Sequence, residues 1–296
     1  MGVLVDFRKG DANLIQMLSA RLAAGGLIEG RDVQVEILSN ELDLARIPDL
    51  AQKMVSTRPD VIYTTHEFWV EALQRTTSTI PIVFSSVTEP VERGFVRSFA
   101  RSGTNIVGVA DRAREMMVKR IQLLREALPR SRRLMVLGAY SNLTANDIAA
   151  LEAAAGRLKF TIIRADITET PVAQTLANAD RQRPDAILPY GTLDVRPGEH
   201  GVDTLFGYVS QKRIPVVFSS ARVVERGGLM SLTEDPKDSL QRSADLVVKI
   251  LKGARPSEMP IEQADKFELV INLKAAKEIG LTIPASILRR ADRLIE

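Results

Sequence analysis

Residues 80–86 read IPIVFSS, and residues 214–220 read IPVVFSS. Upstream of each stands a second shared word. Arg58-Pro59-Asp60-Val61-Ile62 precedes the first, and Arg183-Pro184-Asp185-Ala186-Ile187 precedes the second. Four short words in matched order describe two lobes built on one plan. At 296 residues the chain is long enough for two domains, and its 45% apolar content supplies a core for each.

The hydrophobic pattern between the words supports that plan. Residues 3–5, 33–37, 61–63, 82–84 and 106–109 read as strands, and residues 11–27, 47–55, 68–76 and 91–99 as helices. The series then restarts. Strands at 134–137, 160–163, 186–188, 216–218 and 229–232 alternate with helices at 116–128, 145–158, 172–179 and 204–211. A helix at 239–251, a strand at 267–271 and a helix capped by Asn272 and ended by Gly280 complete the two repeats. Such alternation predicts an α/β protein of two Rossmann-like lobes, each a parallel sheet covered by helices.

In open parallel sheets, ligands bind outside the carboxyl ends of the strands. Ser85, Ser86, Ser219 and Ser220 fall just past the two IP-strands as read here. They serve either as loop and capping residues or as hydroxyl and N–H donors to an anion. Their matched placement in two lobes favours the second reading. Other strand ends carry Asp6-Phe7, Thr64-Thr65-His66, Tyr140-Ser141-Asn142 and Tyr190-Gly191. Tyr63 and Trp69 lie near one of these ends. Scarce aromatics so placed suit either a flat ligand or ordinary loop packing.

Composition narrows the chemistry. The formal net charge is +3, from 40 basic and 37 acidic residues, too small an excess for a nucleic-acid partner. The densest cluster, Arg130-Ser131-Arg132-Arg133, precedes an apolar strand and reads as a solvated loop. Without cysteine there is no disulfide or thiolate chemistry. His66 and His200 lack metal-ligand spacing, and no phosphate-binding glycine motif or nucleophile elbow occurs. No enzyme, cofactor or metal is therefore expected. No apolar run is long enough to span a membrane. The first strand begins almost at Met1, so Met1 is expected to stand where a removed signal peptide preceded it.

Several longer stretches resemble one family. They are GLIEGR (26–31), residues 80–91, GTNIVGV (103–109), RIQLLREALP (120–129), GGLMS (227–231) and the tail KILKGARPSEMPIEQADKFELVINLKAAKEIGLTIPASILRRAD (249–292). The chain resembles bacterial ABC-transporter substrate-binding proteins with the type I periplasmic-binding fold, the group including aromatic amino acid binders. The resemblance implies lobe one at residues 1–108 plus 232–255 and lobe two at 109–231 plus 256–296, joined by a three-crossing hinge. It implies an interlobe cleft for a small molecule, docking on a membrane permease, and a periplasmic or otherwise extracytoplasmic location. A monomer is expected.

Departures from the family pattern fall at the implied cleft and hinge. Glu89-Pro90-Val91 replaces Asp-Pro-Val. Thr64-Thr65-His66-Glu67 is bulkier than the usual small pair, and Leu232-Thr233-Glu234-Asp235 replaces a Tyr-Gly. The ligand expected is a small carboxylate-bearing molecule, an aromatic amino acid or aromatic acid. Thr64, Thr65 and Ser85-Ser86-Val87-Thr88 would hold its carboxylate, and Tyr140 and Tyr190 would wall its other end. Asp6, Glu89 or Asp194 would take an amine. Phe7, His66, Ser141, Asn142, Gly191, Ser219, Ser220, Arg222 and Asp235 complete the candidate set. The alternative function is an extracytoplasmic sensor that signals to a membrane partner through the same cleft.

Overall fold

The structure, a computed structural model, describes residues 1–5, 13–41, 43–191, 193 and 200–296. The chain divides into two compact units. Unit 1 is Met1–Arg112 with Glu234–Lys266, and unit 2 is Ala113–Thr233 with Phe267–Glu296.

In chain order, unit 1 first builds β1 (Gly2–Val5), α1 (Asn13–Ala24), β2 (Glu36–Ser39), α2 (Ile47–Ser56), β3 (Ile62–Thr64), α3 (Glu67–Thr76), β4 (Ile82–Thr88) and β5 (Ile106–Asp111). Unit 2 follows with α4 (Ala113–Ala127), β6 (Arg133–Gly138), α5 (Ala145–Arg157), β7 (Thr161–Asp166), α6 (Val172–Asp180), β8 (Ala186–Tyr190), α7 (Gly201–Lys212), β9 (Val217–Phe218), α8 (Ala221–Glu225) and β10 (Met230–Glu234). The chain returns to unit 1 for α9 (Pro236–Leu251) and β11 (Glu262–Gln263). It ends in unit 2 with β12 (Phe267–Asn272), α10 (Leu273–Glu278), α11 (Ala285–Leu288) and β13 (Arg293–Ile295).

Unit 1 carries one parallel sheet in the order β11-β5-β4-β3-β1-β2. In unit 2, β7-β6-β8 and β9-β10-β12-β13 meet through a parallel bridge between Ile187 and Val216. Central strands are apolar throughout because helices cover both faces. β6 shows the two-residue period: Leu134 and Val136 pack with Met117, Ile121 and Leu151, while Met135 and Leu137 pack with Val172, Leu176 and Leu205. In unit 1, α9 places Leu240, Ala244 and Val247 on the same core as Leu18 and Leu22 of α1.

The shared words now have structural meanings. Arg58 and Arg183 are left-handed, at φ +51° and +50°, each bonded back to the helix before it. The Arg58 N–H donates to Val55 O at 3.0 Å, and the Arg183 N–H to Asp180 O at 2.8 Å. Pro81 O accepts from Ile62 N at 2.8 Å, and Pro215 O from Ile187 N at 2.9 Å. The words therefore write one helix-to-strand turn and one strand pairing in each unit.

Several expectations change. The second strand lies at Glu36–Ser39 rather than 33–37, because β1 fixes its register and Val33 makes only an isolated bridge to Glu29. Residues 91–99 form turns, not a helix. Gly94 is left-handed at φ +71°, yet Phe95 and Val96 still enter the core. β4 does not stop before its serines but runs to Thr88. Residues 256–266, expected in lobe two, belong with unit 1, where β11 pairs with β5.

Within unit 1 the residues beside the crossings are tied together. Arg112 N donates to the Glu234 carboxylate at 2.6 Å, and Asp235 N donates to Lys266 O at 2.9 Å.

Candidate ligand-binding site

Each unit presents its strand carboxyl ends separately. In unit 1, β3 ends in Thr64, which is fully buried and whose hydroxyl has no hydrogen-bond partner among the described residues. Thr65 is half-buried. His66 is exposed, and its carbonyl accepts from Trp69 N at 3.2 Å at the start of α3. Tyr63 and Trp69 are wholly buried, so both aromatics belong to the core. Truncating Trp69 there costs about 3–5 kcal/mol.

β4 forms the most distinctive edge. Ser85 is buried, and its Oγ accepts from the Tyr63 hydroxyl at 3.0 Å. That hydroxyl also lies 3.4 Å from Ser243 Oγ on α9. Burial raises the Tyr63 pKa above its ordinary value. The register between β4 and β5 then slips. Ser85 pairs with Val109 and Val87 with Ala110, leaving Ser86 as the extra residue of a bulge at φ +58°. Val87 is buried. Thr88 and Glu89 are half-buried, Glu89 left-handed at φ +50°. Thr88 Oγ1 donates to Asp111 at 3.1 Å, and Thr88 O accepts from Arg93 Nε at 3.0 Å. Two left-handed non-glycine residues within four positions mark local strain, the kind found at ligand sites.

In unit 2, Tyr140 begins a short 3-10 turn after β6. It is 7% exposed, and the Arg164 guanidinium lies 4.1 Å over its ring. Burial pushes its hydroxyl up to about 12. Asp166 at the end of β7 anchors this corner. It accepts from Thr168 Oγ1 at 2.6 Å, Thr168 N at 2.9 Å, Arg164 at 2.9 Å and Tyr140 N at 3.2 Å. Burial pushes its pKa up, but these donors more than reverse that and hold it at about 2. Ser141 is exposed, with its N–H donating to Thr168 Oγ1 at 3.3 Å, and Asn142 is half-buried.

β8 delivers the half-buried Tyr190 and the left-handed Gly191 at φ +68°. Gly138 allows β6 this close to β8, since a Cβ there would lie 2.4 Å from Tyr190 O. Ser219 and Ser220 are half-buried after β9, and Arg222 on α8 is exposed. Asp235 accepts from Lys237 N at 2.9 Å and caps α9. Asp6, Phe7 and Asp194 lie outside the described residues.

The sequence-predicted residues thus separate. Thr64, Ser85 and Val87 are packed inside, and Asp235 serves a helix cap. Thr65, Ser86, Thr88, Glu89, Ser141, Tyr190, Ser219 and Ser220 are accessible at strand ends. Sequence reading missed Asp111, Arg164, Asp166 and Thr168. Asp166 obeys the strand-end rule, but the apolar pattern at 160–163 predicts a strand three residues shorter than β7, which runs to Asp166. Among the described residues no group of acids and histidines could hold a metal ion.

Comparison with known proteins agrees with this architecture. The family described as "ABC transporter substrate binding protein" matches residues 11–295. A tyrosine-binding protein of Clostridioides difficile is 22% identical over 258 residues, covering 86% of this chain and 73% of the relative. An ABC domain from Streptococcus pneumonia, solved in complex with L-Trp, superposes with a TM-score of 0.86 at 24% identity, covering 99% of this chain and 98% of the other. A conserved domain protein of Vibrio cholerae superposes with a TM-score of 0.88 at 26% identity over the same shares. The fold is the type I periplasmic-binding fold. Proteins of this family bind small molecules outside the cytoplasm, work with a transporter permease and are not enzymes. No helix among the described residues is long and apolar enough to cross a membrane. The chain belongs to the ABC transporter substrate-binding protein family.

Proposed function

We propose that this chain is the solute-binding component of an ABC importer and that its ligand is a small carboxylate-bearing molecule, an aromatic amino acid or a related aromatic acid. The observation that carries the reading is the bulge at Ser86. It interrupts a buried strand and leaves Ser86, Thr88 and Glu89 half-buried at the carboxyl edge on either side of the buried Val87, with the Ser86 hydroxyl and N–H set out of the regular strand register. Such an array neutralises a carboxylate without a lysine. Thr65 and Ser86 supply these donors, and Glu89 takes an α-amine. In unit 2, Tyr190 is a half-buried aromatic at a strand end, the kind of surface on which an aromatic ring packs. The L-Trp complex of one structural relative and the tyrosine-binding relative support this ligand class.

Titration calorimetry and thermal shift with L-Trp, L-Tyr, L-Phe and phenylacetate test the ligand. Saturable binding of at least one, with a raised melting temperature, is expected. A shift with ribose or uracil and none with the aromatic acids overturns it. Uptake of the same ligand by cells lacking the gene tests the transport role. Undiminished uptake would overturn it.

A further inference from the structure

The amino edge of the unit 2 sheet, opposite the ligand-type residues, is crowded with cations. Each strand there is entered from a basic turn. Arg132 precedes β6, Arg157 and Lys159 precede β7, Arg181 and Arg183 precede β8, and Arg213 precedes β9. All six are exposed, and none makes an ion pair among the described residues.

Hydrogen bonds gather these turns onto one surface. Arg125 donates to Ser131 O, Leu158 O and Lys159 O, joining the turn before β6 to the turn before β7. Asp185 accepts from Arg132 N and Arg133 N, each at 2.8 Å, joining that turn to β8. Lys212 reaches Asp180 at 2.8 Å, joining the ends of α7 and α6. The neighbouring acids are already engaged: Asp180 by Lys212 and Tyr208, Asp185 by Arg133 and two backbone N–H groups, Glu126 by Arg290 and Ser286. Burial and then repulsion from Arg132 lower the pKa of Arg125.

Four adjacent strands spread these charges over about 15 Å. No large apolar side chain is exposed at this edge, and the nearby ring of Phe160 is buried under Arg125. A nucleic-acid surface interleaves aromatics for base stacking, and a protein interface needs apolar anchors. A broad array of unpaired cations with neither suits a surface of anionic phospholipid headgroups.

We propose that the amino edge of unit 2 is an electrostatic docking surface for an anionic membrane. Family members work with a permease, so a chain held at the bilayer by this edge stays near its transporter. β6 separates this edge from Tyr140, so the ligand-type residues of the unit stay clear of the lipid. The inference does not depend on which ligand the chain takes.

The test is co-sedimentation of the full chain with vesicles of phosphatidylglycerol and phosphatidylcholine, against vesicles of phosphatidylcholine alone, across a salt series. Binding to the anionic vesicles only, weakening steeply as salt rises, is expected. Replacing Arg132, Arg157 and Arg181 together by glutamine should weaken that binding about 100-fold, at several-fold per charge. The variant should keep its melting temperature and its ligand-induced shift. A control replacing Lys53, Lys237 and Lys252 by glutamine should bind vesicles nearly as the parent does. Equal affinity for neutral vesicles, undiminished binding by the arginine variant, or retention on duplex DNA without vesicle binding would each overturn the proposal.

Discussion

The Tyr63 hydroxyl donates to Ser85 Oγ at 3.0 Å inside a fully buried setting, with Ser243 Oγ 3.4 Å away. This bond fastens β3 to β4 one residue before the bulge. It removes Ser85 from contact with solvent and makes the first serine of the IPIVFSS word a structural residue. Tyr63→Phe keeps the ring but takes its partner from the buried Ser85 hydroxyl, while Ser243 Oγ still donates to Leu240 O at 3.0 Å. A loss of about 1–2 kcal/mol is expected, read as a lower urea midpoint at unchanged slope. Ligand affinity should change little, because neither residue is accessible.

The repeated words foretold two similar units because they encode backbone events that recur. Arg58 and Arg183 make the same left-handed turn, and Pro81 and Pro215 accept the same strand bond. The words do not say where the strands end. After the shared serines, Val87 and Thr88 find partners in Ala110 and Asp111, so β4 continues. After Ser219 and Ser220, the chain turns into α8 instead. Strand length is set by the neighbouring strand, which a local apolar pattern does not contain. For the same reason Thr64 and Ser85 read as ligand residues by sequence and prove to be buried. Arg164 is not legible in the sequence because its role depends on stacking over Tyr140, a contact between β7 and the turn after β6.

Asp166 makes stability at the unit 2 edge pH-dependent. Its folded pKa of about 2 lies below the ordinary 3.8. A carboxylate depressed on folding adds stability that is complete above its unfolded pKa and lost as pH falls through its folded one. The contribution is therefore whole above about pH 5 and gone below about pH 2. Asp166→Asn should cost about 1 kcal/mol at neutral pH, allowing for solvent screening of a partly exposed group. The gap from the parent should close on acidification. Urea unfolding at neutral pH and in acid measures it, and a gap that stays constant with pH contradicts the assignment.

Arg125 holds its corner through many acceptors at once. It donates to the carbonyls of Leu158, Leu128, Pro129, Ser131 and Lys159 and lies 3.9 Å over the Phe160 ring. A lysine offers one ammonium and no planar fork. Arg125→Lys should therefore recover little of what Arg125→Ala loses, about 2–4 kcal/mol. Thermal melts of the two variants decide this. A lysine variant as stable as the parent would show that charge alone is needed.

Ser86 sits at φ +58° as the extra residue of the β4 bulge, a conformation that glycine adopts without strain. Ser86→Gly should leave the fold intact and raise its stability by up to about 1 kcal/mol. If the Ser86 hydroxyl binds the ligand carboxylate, the same substitution should weaken aromatic-acid binding by about 10-fold. Ser86→Val keeps a Cβ, adds branching and should cost about 1–2 kcal/mol in stability. Melting temperature and calorimetric affinity, measured on both variants, separate the two roles. A glycine variant that is more stable and binds as well as the parent would assign Ser86 to bulge geometry alone and move the carboxylate contact to Thr65.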